Sequence, residues 1–75
     1  MEVKGITGRY DYMDVRIDDR VVRIPGELIY KGFVADKDGI KKWNDGEPIS
    51  ESEKQEIIDA VLRKANGSCM KITFE

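Results

Sequence analysis

The sequence predicts a small α+β domain, in which an antiparallel β-sheet of about five to six strands is covered on one face by one α-helix, about Glu51–Ala65. Two observations lead to this fold class. Apolar and polar residues alternate in the first third of the chain and again at its carboxyl end. A period of two residues is typical of half-buried strands. One segment between them has helical spacing instead. With 75 residues, we expect a single domain over residues 1–75.

The first strands are predicted from alternation. Residues 12–18 place three apolar side chains on one face, and residues 21–24 resume the pattern after the polar interruption Asp18-Asp19-Arg20, so the two segments form a hairpin. Residues 2–7 predict a weaker strand before them, turned at Gly8-Arg9. The predicted inward residues are Met13, Val15, Ile17, Val22 and Ile24. Pro25-Gly26 predicts the end of the hairpin, because proline and glycine suit successive positions of a turn.

The middle of the chain predicts a second hairpin, at the edge of the sheet. The apolar runs "FVA" and "IKKW" flank "DKDG", and an Asp-Gly step between β-forming residues is a strong local hairpin signal. Lys41 and Lys42 fit an exposed edge strand, since charges discourage further strand pairing. The segment is therefore interpreted first as structure with a polar, acidic tip.

The helix is predicted by the residues at its two ends and by the spacing of its apolar residues. Ser50 and Glu53 match a capping box, and Arg63-Lys64 fit the negative end of the helix dipole. The predicted apolar stripe consists of Ile57, Ile58, Val61, Leu62 and Ala65. After the helix, residues 69–75 alternate again, with Met70, Ile72 and Phe74 inward, and predict a strand paired centrally or against the first hairpin.

Composition and charge exclude several functional classes. The net charge is −2, and residues 36–59 hold eight acidic and four basic side chains, so this segment has a net charge of −4 and would attract a basic partner. No overall basic face is present for nucleic acid. No apolar run approaches the roughly 20 residues that span a bilayer. With one cysteine and no recognisable leader, we expect a soluble, cytoplasmic protein.

Candidate catalytic chemistry is sparse, and we predict no enzyme. The chain has no histidine, which excludes histidine-based triads. Cys69 falls in a predicted strand without an obvious base and is interpreted as a small buried hydrophobe. The acids between Asp36 and Glu47 miss the calcium-loop spacing, since Gly39 is fourth and not sixth from Asp36. We therefore expect no catalytic residues, no bound metal and no cofactor.

The aromatic residues leave two questions open. Tyrosines and arginines near residues 10–23 could stack single-stranded nucleic acid, but acids at the same spacing would repel phosphate, and cross-strand pairing is favoured. Trp43 could complete the core or anchor a partner, since tryptophan is enriched at binding hot spots. A chain of this size needs its large apolar groups inside, which favours the core.

Several short motifs occur in an order that resembles a known family. "RIPGEL", "GFVA", "IKKW", "EPIS" and "KITFE" follow one another between about Val15 and Glu75. This series resembles the bacterial polymorphic-toxin immunity protein family numbered seventy-four, a small α+β family with a Gly-Phe motif and a tryptophan. Gly32, Phe33 and Trp43 would be those motif positions. The N-terminal third departs most from the pattern, with its "GRYDYMD" segment.

The resemblance implies a non-catalytic protein that binds and neutralises a cognate toxin domain encoded beside it. A nuclease is one candidate, because its phosphate-binding site must be basic and an acidic segment could occlude it. The acidic surface could equally serve solubility alone. The candidate partner-binding residues are Asp36, Asp38, Trp43, Asp45, Glu47, Glu51, Glu53 and Glu56. The alternatives are a small interaction or regulatory module, either monomeric or homodimeric, or a weak binder of single-stranded nucleic acid.

Overall fold

The computed structural model describes residues 1–67 and 71–75 and confirms the predicted α+β architecture. Five strands form one sheet in the order β1-β2-β3-β4-β5, and one helix packs against it. The strands are β1 Val3–Gly8, β2 Tyr12–Ile17, β3 Arg20–Ile29, β4 Gly32–Ala35 and β5 Lys71–Phe74. The helix, α1, spans Glu51–Ala65, and a short 3-10 helix spans Lys37–Gly39. Cys69 and Met70, both predicted to lie in the last strand, fall outside the described residues.

The first hairpin follows the predicted alternation. Met13 pairs with Ile24, and Val15 pairs with Val22, so that their side chains point to the same face of the sheet. These residues and Ile17 are almost fully buried. The intervening loop is the two-residue step Asp18-Asp19, since Ile17 pairs with Arg20, and Asp18 has a left-handed φ of 54°. Aspartate tolerates that conformation better than most residues, which is why a turn without glycine closes the hairpin.

The predicted stop at Pro25-Gly26 is wrong, because β3 continues through both residues to Ile29. Pro25 pairs with Tyr12 on one side, and its carbonyl accepts a hydrogen bond from the Asp36 amide at 2.8 Å on the other. Gly26 pairs with Ala35, where a Cβ would lie only 2.2 Å from the Val34 carbonyl oxygen. The glycine therefore permits a close approach of two strands and does not mark a turn.

The predicted edge hairpin around Asp38-Gly39 is also wrong. After β4, Asp36 caps the 3-10 helix by accepting a hydrogen bond from the Asp38 amide at 3.0 Å, and the chain then forms only an isolated bridge between Lys42 and Pro48. Gly39 packs on Pro25, where a Cβ would lie 2.2 Å from the proline ring. The segment therefore folds back over β3 and does not extend the sheet edge.

The last strand occupies a different place from the one predicted. β5 lies at the sheet edge beside β4 and pairs with it in parallel, whereas the sequence predicted central pairing or pairing with the first hairpin. The reason is the connection: β4 and β5 are joined through α1, and a helical crossover of this length returns the chain in the same direction. Ile72 is buried in this strand, as predicted, and Phe74 is half-buried.

Helix α1 begins and ends where the sequence predicts. Ser50 Oγ accepts a hydrogen bond from the Glu53 amide, and the Glu53 carboxylate accepts one from the Ser50 amide, both at 3.2 Å, which completes the capping box. Ile57, Ile58 and Val61 enter the core as expected. Leu62 does not, since 41% of it is exposed, and the small Ala60 is buried in its place, beside β1.

The Gly-Phe motif is explained by packing. Phe33 is 1% exposed in the core. Gly32 pairs with Ile29 on one side and Lys71 on the other, and a Cβ there would lie 2.5 Å from the Lys71 carbonyl oxygen. Any side chain at Gly32 would therefore push β4 and β5 apart.

We expect Gly32→Ala to lower the free energy of unfolding by about 1–3 kcal/mol, because the added methyl must displace backbone. Gly8→Ala is the matched control: it is also a strand glycine, but its Cβ would have no neighbour within 4 Å. That control should leave stability unchanged or raise it by up to about 1 kcal/mol. Urea denaturation followed by circular dichroism measures both, and equal stability of the two variants would contradict the packing role.

Candidate binding surface

Two of the predicted acidic residues meet around one arginine. Arg20 Nη1 lies 4.0 Å from Glu47 Oε2, and Arg20 Nη2 lies 4.0 Å from Glu53 Oε2. The arginine begins β3, Glu47 lies in the loop before the helix, and Glu53 lies in the first turn of α1. Three segments that are distant in sequence therefore place their charges together at one end of β3.

Trp43 lies beneath this cluster and not on the surface. Its ring is 2% exposed, and the Arg20 guanidinium stacks on it with 4.0 Å between Cζ and the ring centroid. The geometry is a cation–π contact that is partly shielded from water. Of the two interpretations that the sequence left open for Trp43, the structure supports the core.

The indole nitrogen of Trp43 has no hydrogen-bond partner among residues 1–67 and 71–75. Nε1 is buried and makes no hydrogen bond within the described part of the chain. The backbone around it is well tied, since the Trp43 amide donates to the Glu47 carbonyl and the Trp43 carbonyl accepts from the Gly46 amide, both at 2.9 Å. The tryptophan is thus held for its volume, at the cost of one unpaired N–H.

Three of the candidate acids are engaged in local structure. Asp36 caps the 3-10 helix, Asp45 Oδ1 accepts a hydrogen bond from the Glu47 amide at 2.9 Å, and Glu53 completes the capping box. Asp38 is 3.7 Å from Lys54 Nζ, so part of its charge is balanced. Glu51 and Glu56 are exposed on α1. The acidic segment is therefore not one uniform surface.

Two acids that the sequence did not select lie at the same end. Asp18 and Asp19 form the exposed hairpin turn immediately before Arg20. The signal that could have found them was present, because the predicted hairpin turn put these carboxylates next to the arginine. We define the acidic end as Arg20 with five acids: Glu47 and Glu53, which lie beside its guanidinium, Asp18 and Asp19, which precede it in the chain, and Asp45, which accepts a hydrogen bond from the Glu47 amide.

The tyrosine–arginine face of the first hairpin is internally paired. The Arg23 guanidinium stacks on Tyr12 with 4.0 Å between Cζ and the ring centroid, and it donates to both Asp14 oxygens at 2.8 and 3.1 Å. The hydrogen bond to Asp14 raises the pKa of Arg23 above its ordinary value. Because the ring face already has a stacked cation, this pair does not offer an open platform for a nucleobase.

Other perturbed charges belong to an exposed ion pair near the amino terminus. The hydrogen bond between Lys4 and Glu2 lowers the pKa of Glu2 and raises the pKa of Lys4.

Across residues 1–67 and 71–75, no group of three or more potential ligands is arranged to hold a metal ion. Among these residues there is also no helix of the length and apolar character needed to cross a membrane.

A comparison with known protein families gives a match over almost the whole chain. The family model described as Immunity protein 74 matches residues 5–75, which is almost the whole chain. Searches of curated proteins and of solved structures each find nothing that matches.

We expect Trp43→Ala to lower the free energy of unfolding by about 3–5 kcal/mol, since it empties a large buried site. Trp43→Phe should cost clearly less, because it keeps most of the ring volume and removes an N–H whose unpaired burial is unfavourable by about 1–3 kcal/mol. Urea denaturation followed by circular dichroism is the measurement, since Trp43 is the only tryptophan and fluorescence would be lost. Equal losses for the two variants would contradict the interpretation that the tryptophan is held for its volume.

Proposed function

The chain belongs to the Immunity protein 74 family, and on that premise we propose that it binds and neutralises a cognate bacterial toxin domain by covering the toxin's active site. Family membership makes it an immunity protein whose partner is a toxin. The match over residues 5–75 is the observation that carries this proposal. We further propose that the protein acts without catalysis, in the cytoplasm, and binds the toxin one-to-one as part of a polymorphic toxin system.

We propose the acidic end as the surface that faces the active site. Glu47 and Glu53 each lie 4.0 Å from the Arg20 guanidinium, a distance that leaves both carboxylates able to accept stronger hydrogen bonds from a partner. Asp18 and Asp19 precede Arg20 in the chain, and Asp45 lies two residues before Glu47. Glu56 extends the acidic surface along α1, three residues after Glu53. The fixed backbone of the Asp18-Asp19 turn and the Trp43–Glu47 loop supports this role, since a preorganised surface loses little entropy on binding.

A nuclease is the toxin class that this chemistry fits best. An enzyme that cleaves nucleic acid holds phosphate with lysine, arginine or a bound cation, so its cleft is electropositive. A cluster of carboxylates can occupy such a cleft in place of phosphate, and opposite charges also speed the encounter of the two proteins. Glu47, Glu51 and Glu56 are exposed, and their carboxylates cap neither described helix. We propose these three acids, together with Asp18 and Asp19, as the contacts with the toxin.

Co-expression tests the proposed function directly. The toxin domain encoded beside this gene should arrest growth when produced alone, and production of this chain in the same cells should restore growth. A toxin domain from an unrelated system, at the same level of expression, should remain toxic in the presence of this chain. If the chain neither restores growth nor binds the purified neighbouring domain, the proposed function is wrong.

The acidic end is tested by paired charge variants. Asp19→Asn with Glu47→Gln should lower the association rate constant for the toxin domain by about three- to tenfold at low salt, with the difference shrinking towards 1 M salt, where the Debye length is about 3 Å. The control pair, Asp59→Asn with Glu75→Gln, removes the same charge from exposed residues outside the acidic end. Stopped-flow association at several salt concentrations is the measurement. If both double variants have the same association rate constant, the toxin contacts a surface other than the acidic end. That outcome would not affect the growth-rescue result.

A further inference from the structure

A group of exposed apolar side chains lies at the opposite end of β3 from the acidic end. Tyr10 is 85% exposed, Tyr30 89%, Ile29 48% and Leu28 37%. Leu28 and Ile29 end β3, Tyr30 follows in the β3–β4 loop, and Tyr10 lies in the β1–β2 loop. We define these four residues as the aromatic end.

Hydrogen bonds hold the two loops of the aromatic end together. The Leu28 amide donates to the Tyr10 carbonyl at 3.0 Å, and the Gly26 amide donates to the Asp11 carbonyl at 3.0 Å, so the β1–β2 loop continues the sheet alongside β3. The Lys71 amide donates to the Lys31 carbonyl at 3.1 Å. The exposed tyrosines are therefore presented from an ordered backbone, which reduces the entropy lost when they contact a partner.

The sequence of the β3–β4 loop is not the one that best suits its turn. Ile29 pairs with Gly32, so Tyr30-Lys31 is a two-residue loop, and Lys31 has a left-handed φ of 60°. Glycine or asparagine adopts that conformation more easily than lysine. Lys31 therefore has a backbone conformation that is unfavourable for its residue type, and strain of this kind is concentrated at functional positions.

The exposed area of the aromatic end helps to decide whether a second copy of this chain or a different protein binds there. Leu28 and Ile29 are neighbours in β3 and face opposite sides of the sheet, so the four side chains surround the end of the strand. Together they expose several hundred Å². A stable dimer needs about 800 Å² from each partner, which the aromatic end alone does not supply. Two aromatic anchors fit better as hot spots within a larger contact to a different protein.

The charges around the aromatic end indicate the chemistry of that protein. Arg9, Lys31 and Lys71 adjoin the four residues in sequence or through the backbone hydrogen bonds given above. Asp11 and Glu27 lie in the same segments, so the three basic and two acidic residues leave a net charge of +1. The Lys31 Nζ also lies 5.5 Å from the Tyr30 ring centroid. The complementary surface is an apolar hollow with carboxylates at its rim, which is opposite in charge to the cleft proposed for the acidic end.

We propose that the aromatic end is a second docking surface for the toxin, and that Tyr10 and Tyr30 insert into an apolar, acid-rimmed hollow outside the toxin's active site. This inference rests on the proposed function, since the toxin is the occupant. The molecule is 32 Å long, and β3 with its ten residues spans about that length at 3.3 Å per residue. The two ends therefore contact different parts of the toxin, one at the cleft and one away from it.

The test is the double variant Tyr10→Ser with Tyr30→Ser, measured against the toxin domain encoded beside the gene by isothermal titration calorimetry. The dissociation constant should rise by about 10- to 100-fold, as for paired hot-spot residues. The thermal midpoint should not fall, because both rings are exposed. Leu62→Ser is the control, since Leu62 is an exposed apolar residue of α1 and belongs to neither hairpin loop, and it should leave the dissociation constant unchanged.

Charge reversal gives an independent readout. Lys31→Glu should weaken binding by about tenfold through repulsion from the acidic rim, while Lys37→Glu, on the exposed 3-10 helix, should not. Wild-type affinity in the tyrosine variant overturns this inference and leaves the proposed function standing. Absence of wild-type binding overturns both. Loss of a dimer in sedimentation with unchanged toxin affinity would assign the surface to a second copy of the chain and also overturn the inference.

Discussion

The structure depends on one long strand that has different neighbours along its two halves. Residues 20–25 of β3 pair with β2, and residues 26–29 pair with β4. On the free side of the first half, the Val21 carbonyl accepts a hydrogen bond from the Asn44 amide at 2.9 Å, and the Pro25 carbonyl accepts one from Asp36. The loop between β4 and α1 is thereby fixed against the strand, and it places Trp43 and Glu47 beside Arg20. The acidic end follows from this arrangement.

Strand β3 also explains why sequence patterns predicted the pairing of its first half correctly and that of its second half incorrectly. The alternation of Met13, Val15, Val22 and Ile24 reports directly on one buried face, and it predicted the first hairpin correctly. Pro25-Gly26 resembles a turn only when its neighbours are ignored. Gly26 is needed because β4 approaches closely, and that contact joins residues whose pairing the local sequence does not specify. Likewise, the parallel pairing of β5 is set by the helical connection and not by any residue within β5.

The helix was predictable to the residue because its signals are local. The capping box acts between Ser50 and Glu53, and the apolar spacing of Ile57, Ile58 and Val61 needs no knowledge of the rest of the fold. Leu62 was misplaced because its position on the helix surface is at the margin of the apolar stripe, where only the packed sheet decides what is covered. The candidate site was predictable in part: the sequence identified the acidic segment, but not that Asp18 and Asp19 would join it across the sheet.

Counting acids overstates the acidic surface of this protein, and the reason is physical. Asp36, Asp45 and Glu53 each accept a hydrogen bond from a backbone amide, so their carboxylates stabilise turns and a helix end. No charged side chain is buried in the described residues, so the core contributes stability while the charges remain at the surface. The hairpin tip at each end of β3 has a non-glycine residue with left-handed φ, Asp18 at one end and Lys31 at the other. The two surfaces that we propose for recognition therefore lie where β3 begins and where it ends. A toxin that binds both ends must therefore match the length of this strand as well as the charge of each end, and that double requirement can give an immunity protein of only 75 residues its specificity.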